Sequence, residues 1–183
     1  EPGQASHAAG IYLWQLKEMY KLGIRYFLIE TLSSSEGIAE AALWLQKQEE
    51  PCFLIVSYAV GADGMTMTGL SGRELLEATE AMEGVNAVGL NCLVGPHHMK
   101  MLVKDLNRQI FKDSETLLYC APNAGYPAVT RRKTVYTSSP DYYADVMNSI
   151  CHMGFSILGG CCGTTPADIK ALCATRFPRR SLS

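Results

Sequence analysis

Residues 155–168 have the sequence FSILGGCCGTTPAD, in which an apolar segment ends at two glycines and two adjacent cysteines before a helix start. Neighbouring side chains of a regular strand point to opposite faces, so Cys161 and Cys162 can face one partner only where the strand has ended. The glycines on both sides of the pair make that departure from strand geometry easy. The segment therefore predicts a strand, a turn that carries two thiols, and a helix.

Four similar segments precede this one along the chain. Short, continuously apolar strands are predicted at YFLIE, CFLIVSY, NAVGLNC and TLLYCA, with helical patterns between them. Strands of this kind are typical of a parallel sheet that is buried on both faces. The alternation fits a (β/α) barrel or a doubly wound sheet, and no glycine-rich phosphate loop follows the first strand, which disfavours a dinucleotide-binding fold. Helices are also predicted over 11–22 and 98–110, and a long loop over 122–139.

The composition limits the possible functions. The chain has 183 residues, of which 48% are hydrophobic, and a formal net charge of −2, so we expect one domain over 1–183 without nucleic-acid or membrane partners. No apolar run approaches the ~20 residues of a membrane span, and no signal-peptide pattern is present. The seven cysteines lack the spacing of a small secreted disulfide scaffold, which indicates a reduced, cytoplasmic setting. The chain does not begin with methionine, and we expect a fragment or a processed product.

Polar residues cluster at the predicted carboxyl ends of the strands. In parallel barrels this rim is where catalytic residues are found. The residues at these positions are Glu30, Ser57, Asn91, Cys92, Asn123, Cys161 and Cys162. Their shared position indicates one site more strongly than any single motif does.

The three strand-end cysteines suggest a metal site. Three thiolates with one open position are a geometry of catalytic zinc, and the open position could take a thiol substrate. The alternatives are that Cys92 is a small core residue and that Cys161 and Cys162 are an incidental pair, a vicinal disulfide or a redox pair. Spacing alone leaves these open. The remaining cysteines lie in apolar patterns and are predicted to pack as hydrophobic residues: Cys52, Cys120, Cys151 and Cys173.

The polar residues of the rim also have ordinary structural explanations. Glu30 ends an apolar strand and is either a solvated charge or a ligand for a substrate ammonium group. Asn91 and Asn123 either hydrogen-bond a ligand or turn the chain.

Two further groups look like candidate ligands, but the sequence favours other roles. His97 and His98 follow a proline and are predicted to open a helix rather than to bind a metal. The basic run Arg131, Arg132 and Lys133 is predicted to be a solvated loop, with an anionic co-substrate as the alternative.

The segments GLNCLVGP, YCAPNAGYP and LGGCCGTTPADI together resemble the homocysteine S-methyltransferase domain family, and IETLSSSEG is similar to that family's fourth-strand segment. The resemblance extends from about residue 24 to 173, with all motifs in the expected order. It implies a zinc-dependent (β/α)8 barrel that methylates homocysteine to methionine. By motif, it implies that Cys92, Cys161 and Cys162 hold one Zn²⁺ and form the catalytic group. It also implies that Glu30 holds the amino group of homocysteine, while Asn91 and Asn123 shape the pocket. Ser57, at the end of the second strand, is also expected to bind the substrate.

Within the family, NCLVGP and PNAGYP are most similar to the cobalamin-dependent methionine synthases and to bacterial proteins that fuse this domain to a methylenetetrahydrofolate reductase. This branch implies a methyl donor, cobalamin or folate, that comes from another domain or as a small molecule. Homocysteine and that donor are the expected partners.

The strand count departs from the family. A complete barrel has eight βα units in typically ~250 residues, whereas five strands are predicted here. We therefore expect a C-terminal portion with strands four to eight and two open sheet edges, which favour association. The alternative function is accordingly a non-catalytic partial barrel that binds zinc for structure or binds partner domains.

Overall fold

A computed structural model describes the chain over residues 2–104, 111, 114–130, 133–136 and 138–175. Six helices and seven strands alternate along these residues. In chain order they are α1 Pro2–Lys21, β1 Tyr26–Leu32, α2 Ile38–Gln46, β2 Phe53–Tyr58, α3 Gly72–Glu80, β3 Ala87–Asn91, α4 Pro96–Val103, β4 Leu117–Ala121, β5 Pro127–Thr130, β6 Lys133–Tyr136, α5 Pro140–Cys151, β7 Ile157–Leu158 and α6 Pro166–Ala174.

Five of the strands form one parallel sheet in the order β1-β2-β3-β4-β7. Each strand except β4 is followed directly by a helix, and β4 is followed by the hairpin of β5 and β6 and then by α5. The predicted alternation of helices with parallel strands is confirmed. No helix in the described part of the chain is both long and apolar enough to cross a membrane.

One face of the sheet packs against the helices. Leu54 and Val56 of β2, and Val88 and Leu90 of β3, belong to the main hydrophobic core, and none is more than 3% exposed. Because side chains alternate along a strand, the intervening residues lie on the opposite face. The residues at the carboxyl ends on that face form the candidate site.

The sheet has an open edge at β1. No strand among the described residues pairs with the outer side of β1, and Tyr26 of that strand is 80% exposed. The other edge is the two-residue strand β7, which pairs with β4 through Ile157 and Leu158. The two predicted open edges are therefore present in the described structure.

The structure corrects several predicted boundaries. The predicted loop over 122–139 contains an antiparallel hairpin of β5 and β6, because PAVT and KTVY are rich in β-branched residues that favour strands. The first helix begins at Pro2 instead of residue 11, and β7 is shorter than predicted. The helix predicted over 98–110 is α4, and 105–110 lie outside the described residues, as do Arg131, Arg132 and the tail at 178–183.

The four cysteines away from the predicted site differ in burial. Cys120 is fully buried in the core and Cys52 packs against it, as predicted. Cys151 is half-buried, whereas Cys173 is exposed, so the prediction that it packs as a hydrophobic residue is wrong. The reason is that α6 turns Asp168 and Leu172 inward, which leaves Cys173 on the solvent side.

A test of the sheet packing is the variant Gly89→Ala. A Cβ at Gly89 would overlap the carbonyl oxygen and the Cβ of Tyr119 on the neighbouring strand. We expect a loss of about 1–3 kcal/mol in the free energy of unfolding, measured by urea denaturation, because overpacked positions cost that much. Gly10→Ala is the matched control: nothing lies within 4 Å of a Cβ there, and in the helix alanine should stabilise by about 0.5–1 kcal/mol. Equal stability of the two variants would contradict this packing.

Candidate metal centre

Three cysteine sulfurs meet at the carboxyl ends of the strands. The Sγ atoms of Cys92, Cys161 and Cys162 all lie within 4.8 Å of one another, and those of Cys92 and Cys162 are 3.7 Å apart. Cys92 and Cys161 are half-buried, and Cys162 is exposed. No other group of three or more potential metal ligands comes together within the described ranges. The three strand-end cysteines are thus brought together as the sequence predicts, and all three are free thiols.

Cys92 reaches this point because the chain turns sharply at the end of β3. Cys92 and Leu93 both have left-handed backbone conformations, with φ of 63° and 55°. Such values are uncommon for residues other than glycine and are concentrated at functional sites. The amide of Cys92 still donates to the carbonyl of Ala121, at 3.0 Å, so the turn is fastened to the end of β4.

The turn that carries Cys161 and Cys162 is fastened to the same place. The amide of Cys161 donates to the carbonyl of Pro122, and the amide of Ala124 donates to the carbonyl of Cys162, each at 2.9 Å. The buried side chain of Asn123 accepts from the amide of Cys162 at 3.1 Å. Asn123 therefore holds the backbone of the cysteine turn through a hydrogen bond.

Asn91 connects the remaining predicted residues. Its side chain is fully buried, and its Oδ1 accepts from the Ser57 hydroxyl at 2.8 Å and from the Thr31 amide at 2.9 Å. Its Nδ2 donates to the Thr31 hydroxyl at 2.8 Å and to Glu30 Oε2 at 3.3 Å. The same nitrogen lies 3.9 Å from Cys161 Sγ. Asn91 thus lies between the carboxylate and the sulfur cluster.

The four polar residues predicted to bind the substrate differ in accessibility. Glu30 is exposed at the end of the open strand β1, whereas Ser57 is fully buried and its hydroxyl donates to Asn91. The register with β2 shifts between Ile29 and Leu32, where Thr31 has φ of 61°, so Glu30 lies outside the regular pairing. Glu30 is therefore the one of these side chains that a solute can reach directly.

The surroundings of Cys161 favour its protonated thiol when no cation is present. Burial, together with the hydrogen bond and the charge of Cys92, raises the pKa of the Cys161 thiol to about 12. Burial also raises the pKa of Tyr119 to about 12, with smaller contributions from the charges of Glu30, Cys120 and Cys161. A bound divalent cation would reverse this balance, because it stabilises thiolates.

Two tyrosines at the site were not predicted from the sequence. After burial, the charges of Glu30 and Cys161 contribute to the raised pKa of Tyr119, and its hydroxyl lies 3.9 Å from the position of a Cβ built on Gly159. Burial raises the pKa of Tyr136, and the charge of Cys162 and a hydrogen bond to it contribute further. Tyr119 lies inside an apolar strand and Tyr136 in a predicted loop, so neither carried a sequence signal.

The two adjacent histidines open a helix, as predicted. Pro96 is at the first position of α4, and His97 and His98 follow it. The ring of His98 stacks edge-to-face on Tyr126, with centroids 5.4 Å apart. Neither histidine belongs to the cysteine group.

The sequence matches a protein-family model and two methionine synthases. The model of the homocysteine S-methyltransferase family matches residues 3–176. The chain is 36% identical over 125 residues to methionine synthase of Mycobacterium tuberculosis (strain ATCC 25618 / H37Rv) and 37% identical over 112 residues to that of Mycobacterium leprae (strain TN). These alignments cover 64% and 60% of this chain, but only 10% and 9% of those proteins.

The fold is shared with solved structures of the homocysteine methyltransferase MmuM from Escherichia coli. The apo form aligns with a TM-score of 0.68 at 21% identity, covering 93% of this chain and 56% of that one. The metallated form aligns with a TM-score of 0.64 at 22% identity, covering 87% and 48%. The predicted (β/α)8-type fold is confirmed, and the five strands are consistent with part of such a barrel. The chain spans about half of the solved chains and about a tenth of the two methionine synthases.

The burial of Cys161 predicts a difference in reactivity within the cysteine pair. In the metal-free protein at pH 8, iodoacetamide should label exposed Cys162 faster than Cys161, because thiolate is the reactive form and the raised pKa keeps Cys161 protonated. Below its pKa, the labelling rate of Cys161 should rise about tenfold per pH unit between pH 9 and 11.

Peptide mapping by tandem mass spectrometry measures both rates, and fully buried Cys120 serves as the unlabelled control. Equal labelling of the pair at pH 8, or a plateau for Cys161 below pH 10, would contradict this assignment.

Proposed function

The chain belongs to the homocysteine S-methyltransferase family, and we propose that it acts in the transfer of a methyl group to the thiol of homocysteine, giving methionine. The observation that carries the proposal is the cluster of Cys92, Cys161 and Cys162, whose sulfurs lie within 4.8 Å of one another. Membership of the family supports homocysteine as the substrate, and the thiol cluster offers a place for its sulfur. In the overall reaction the homocysteine thiol loses a proton and gains the methyl group, which leaves its donor.

We propose that the three cysteines hold one Zn²⁺, and their spacing supports this. Two sulfurs that are each about 2.3 Å from one tetrahedral ion lie roughly 3.8 Å apart, and the Cys92 and Cys162 sulfurs are 3.7 Å apart. Three thiolates are a donor set that suits zinc. When bound, zinc supplies a Lewis acid that favours ionisation of a substrate thiol near neutral pH. The solved E. coli relative is described in a metallated form, which is consistent with this proposal.

We further propose that Glu30 binds the ammonium group of homocysteine. Its carboxylate is exposed, and Asn91 Nδ2 donates to it at 3.3 Å while lying 3.9 Å from the sulfur of Cys161. A short amino acid can therefore place its ammonium group at Glu30 and its thiol at the cysteine cluster. In this arrangement Ser57 and Asn123 act indirectly. The Ser57 hydroxyl donates a hydrogen bond to Asn91, and the Asn123 side chain accepts one from the backbone amide of Cys162.

The methyl donor is proposed to be a cobalamin or folate carried by another domain or bound as a small molecule. The resemblance of NCLVGP and PNAGYP to the cobalamin-dependent branch of the family supports a donor of this class. Cys162 is the exposed member of the cluster, so a donor can approach the sulfurs from solvent. We propose that residues 1–183 act as one domain in the cytoplasm.

A second function is favoured by the open strand β1. Tyr26 and Leu28 are 80% and 42% exposed on a strand that has no outer partner in the described sheet. Such an edge is a template for further strand pairing. The chain would then act as a partial barrel that binds zinc for structure and binds other segments or domains through this edge.

The zinc proposal predicts the metal content of two cysteine variants. The purified protein should contain about one zinc ion per chain, and Cys92→Ala should lose most of it, because two thiolates hold zinc far less tightly than three. Cys173→Ala is the matched control, since Cys173 is exposed and outside the cluster. Inductively coupled plasma mass spectrometry gives the metal content. A zinc-free parent protein, or full zinc in Cys92→Ala, would refute the site.

The substrate proposal predicts the effect of Glu30→Gln. In cobalt-substituted protein, added homocysteine should change the sulfur-to-cobalt charge-transfer absorption, which reports an open coordination position. Glu30→Gln should weaken this binding about tenfold or more, because the charge-assisted bond to the ammonium group is lost.

Glu49→Gln is a control of the same chemistry on an exposed residue away from the cluster. No spectral change in the parent protein would favour the structural alternative. A change that is the same in parent and Glu30→Gln would refute only the role of Glu30.

A further inference from the structure

Thr31 lies beside Glu30 in a backbone conformation that threonine rarely adopts. Its φ is 61°, and a positive φ is a genuine outlier for a β-branched residue. Between Ile29 and Leu32, β1 has one residue more than the paired segment of β2. Strained residues persist where the surrounding contacts hold them, and they are concentrated at functional sites. Thr31 is held by its contacts with one buried side chain, that of Asn91.

Thr31 contacts both ends of the Asn91 side-chain amide. Its backbone amide donates to Oδ1 at 2.9 Å, and its hydroxyl accepts from Nδ2 at 2.8 Å. A backbone N–H can only donate, so the end of the side-chain amide that it meets must be the oxygen. The nitrogen end is thereby directed to Glu30 Oε2 at 3.3 Å and to Cys161 Sγ at 3.9 Å.

The Ser57 hydroxyl does not select between the two orientations of this amide. It lies 2.8 Å from Oδ1, but a hydroxyl can donate or accept and would tolerate a reversed amide. The Glu30 carboxylate and a metal-bound thiolate can only accept, so each would lose its donor if the oxygen were turned toward it. The contacts of Thr31 therefore determine which end of the Asn91 amide faces the carboxylate and the sulfur.

The irregularity of β1 explains how two neighbouring residues reach the same atom. In a regular strand Glu30 and Thr31 would point to opposite faces. In the structure both side chains accept from Asn91 Nδ2. An extra residue in a strand and a positive φ re-aim side chains in this way, and such irregularities are frequent next to active sites. The strained conformation of Thr31 thus accompanies a specific contact.

We propose that Thr31 is a positioning residue that fixes the orientation of the Asn91 amide, and through it the Glu30 carboxylate, for the binding of an amino acid. The inference rests on the proposed function, and it adds a residue that acts through Asn91 rather than on the reacting sulfur. Loss of one hydrogen bond between neutral groups corresponds to roughly a 2–10-fold change in an equilibrium constant.

The first test follows the Asn91 side chain in the purified protein without substrate. Thr31→Val removes the hydroxyl but keeps the shape and the backbone N–H, and Thr31→Ser restores the hydroxyl. In ¹⁵N-labelled protein, the side-chain NH₂ protons of Asn91 should exchange with solvent about 2–10-fold faster in Thr31→Val. Thr31→Ser should retain the rate of the parent protein. Equal exchange in the parent protein and in Thr31→Val overturns the inference.

Thr175→Val is the matched control for the same chemical change. The Thr175 hydroxyl also makes a hydrogen bond, to the Leu172 carbonyl at 2.7 Å, but it lies at the end of α6 and outside the cysteine cluster. Its loss should leave the exchange of the Asn91 protons unchanged. An equal acceleration in Thr175→Val and Thr31→Val would show a general loosening and overturn the inference.

The second test measures homocysteine binding through the sulfur-to-cobalt charge-transfer band. Thr31→Val should weaken binding about 2–10-fold, while Thr31→Ser and Thr175→Val bind as the parent protein does. Parent-like affinity in Thr31→Val overturns the inference and leaves the cysteine site standing. A parent protein without a homocysteine response, in which Thr31→Val still accelerates Asn91 exchange, refutes the proposed function and retains the orientation of Asn91 by Thr31.

Thr31→Gly separates the role of the hydroxyl from the strain of the backbone. Glycine adopts a positive φ without steric cost, so this variant lacks the hydroxyl and also relieves the strain. It should bind homocysteine no more tightly than Thr31→Val does, although it should not be less stable than Thr31→Val in urea denaturation. Parent-like binding by Thr31→Gly overturns the inference, because the hydroxyl would then be dispensable.

Discussion

The fully buried side chain of Asn91 is the contact on which the geometry of the site depends. Its Oδ1 accepts from β1 and β2, through the Thr31 amide and the Ser57 hydroxyl, and its Nδ2 donates to Thr31 and Glu30. An unpaired amide at that depth would cost about 1–3 kcal/mol for each unsatisfied group. Because both the oxygen and the nitrogen of the Asn91 amide have partners, the orientation of this side chain is fixed. Its bond to Glu30 therefore positions the carboxylate from within the sheet.

The cysteine cluster could be predicted because it follows from topology. Carboxyl ends of parallel strands meet at one edge, so Cys92 after β3 and the pair after β7 had to approach one another once the strands were recognised. The glycine-rich turn at 159–163 indicated where β7, the strand before the cysteine pair, ends. The motif resemblance then supplied the chemistry of the cluster, which spacing alone left open.

The remaining parts of the site depend on contacts that have no local signature. At Thr31, where φ is 61°, the backbone amide donates to the side chain of Asn91, which lies 60 residues further along the chain. Tyr119 occupies the site because Gly89 on the adjacent strand leaves room for it, and Tyr136 because Gly163 does. In each case the decisive partner is remote in sequence. Hydrophobic periodicity and turn chemistry, which are local signals, therefore could not indicate it.

The open edge of the sheet affects the two halves of the site differently. Cys92 and Cys161 are both fastened to the end of the interior strand β4, through the carbonyls of Ala121 and Pro122, so the sulfur geometry does not depend on β1. Glu30 instead lies on β1, the strand without an outer partner, and is held through a single amide at 3.3 Å. Edge strands open more readily than paired ones. Any segment that pairs with β1 would therefore alter the position of the carboxylate before it alters the sulfurs, and the affinity for an amino acid is the property that such pairing would change first.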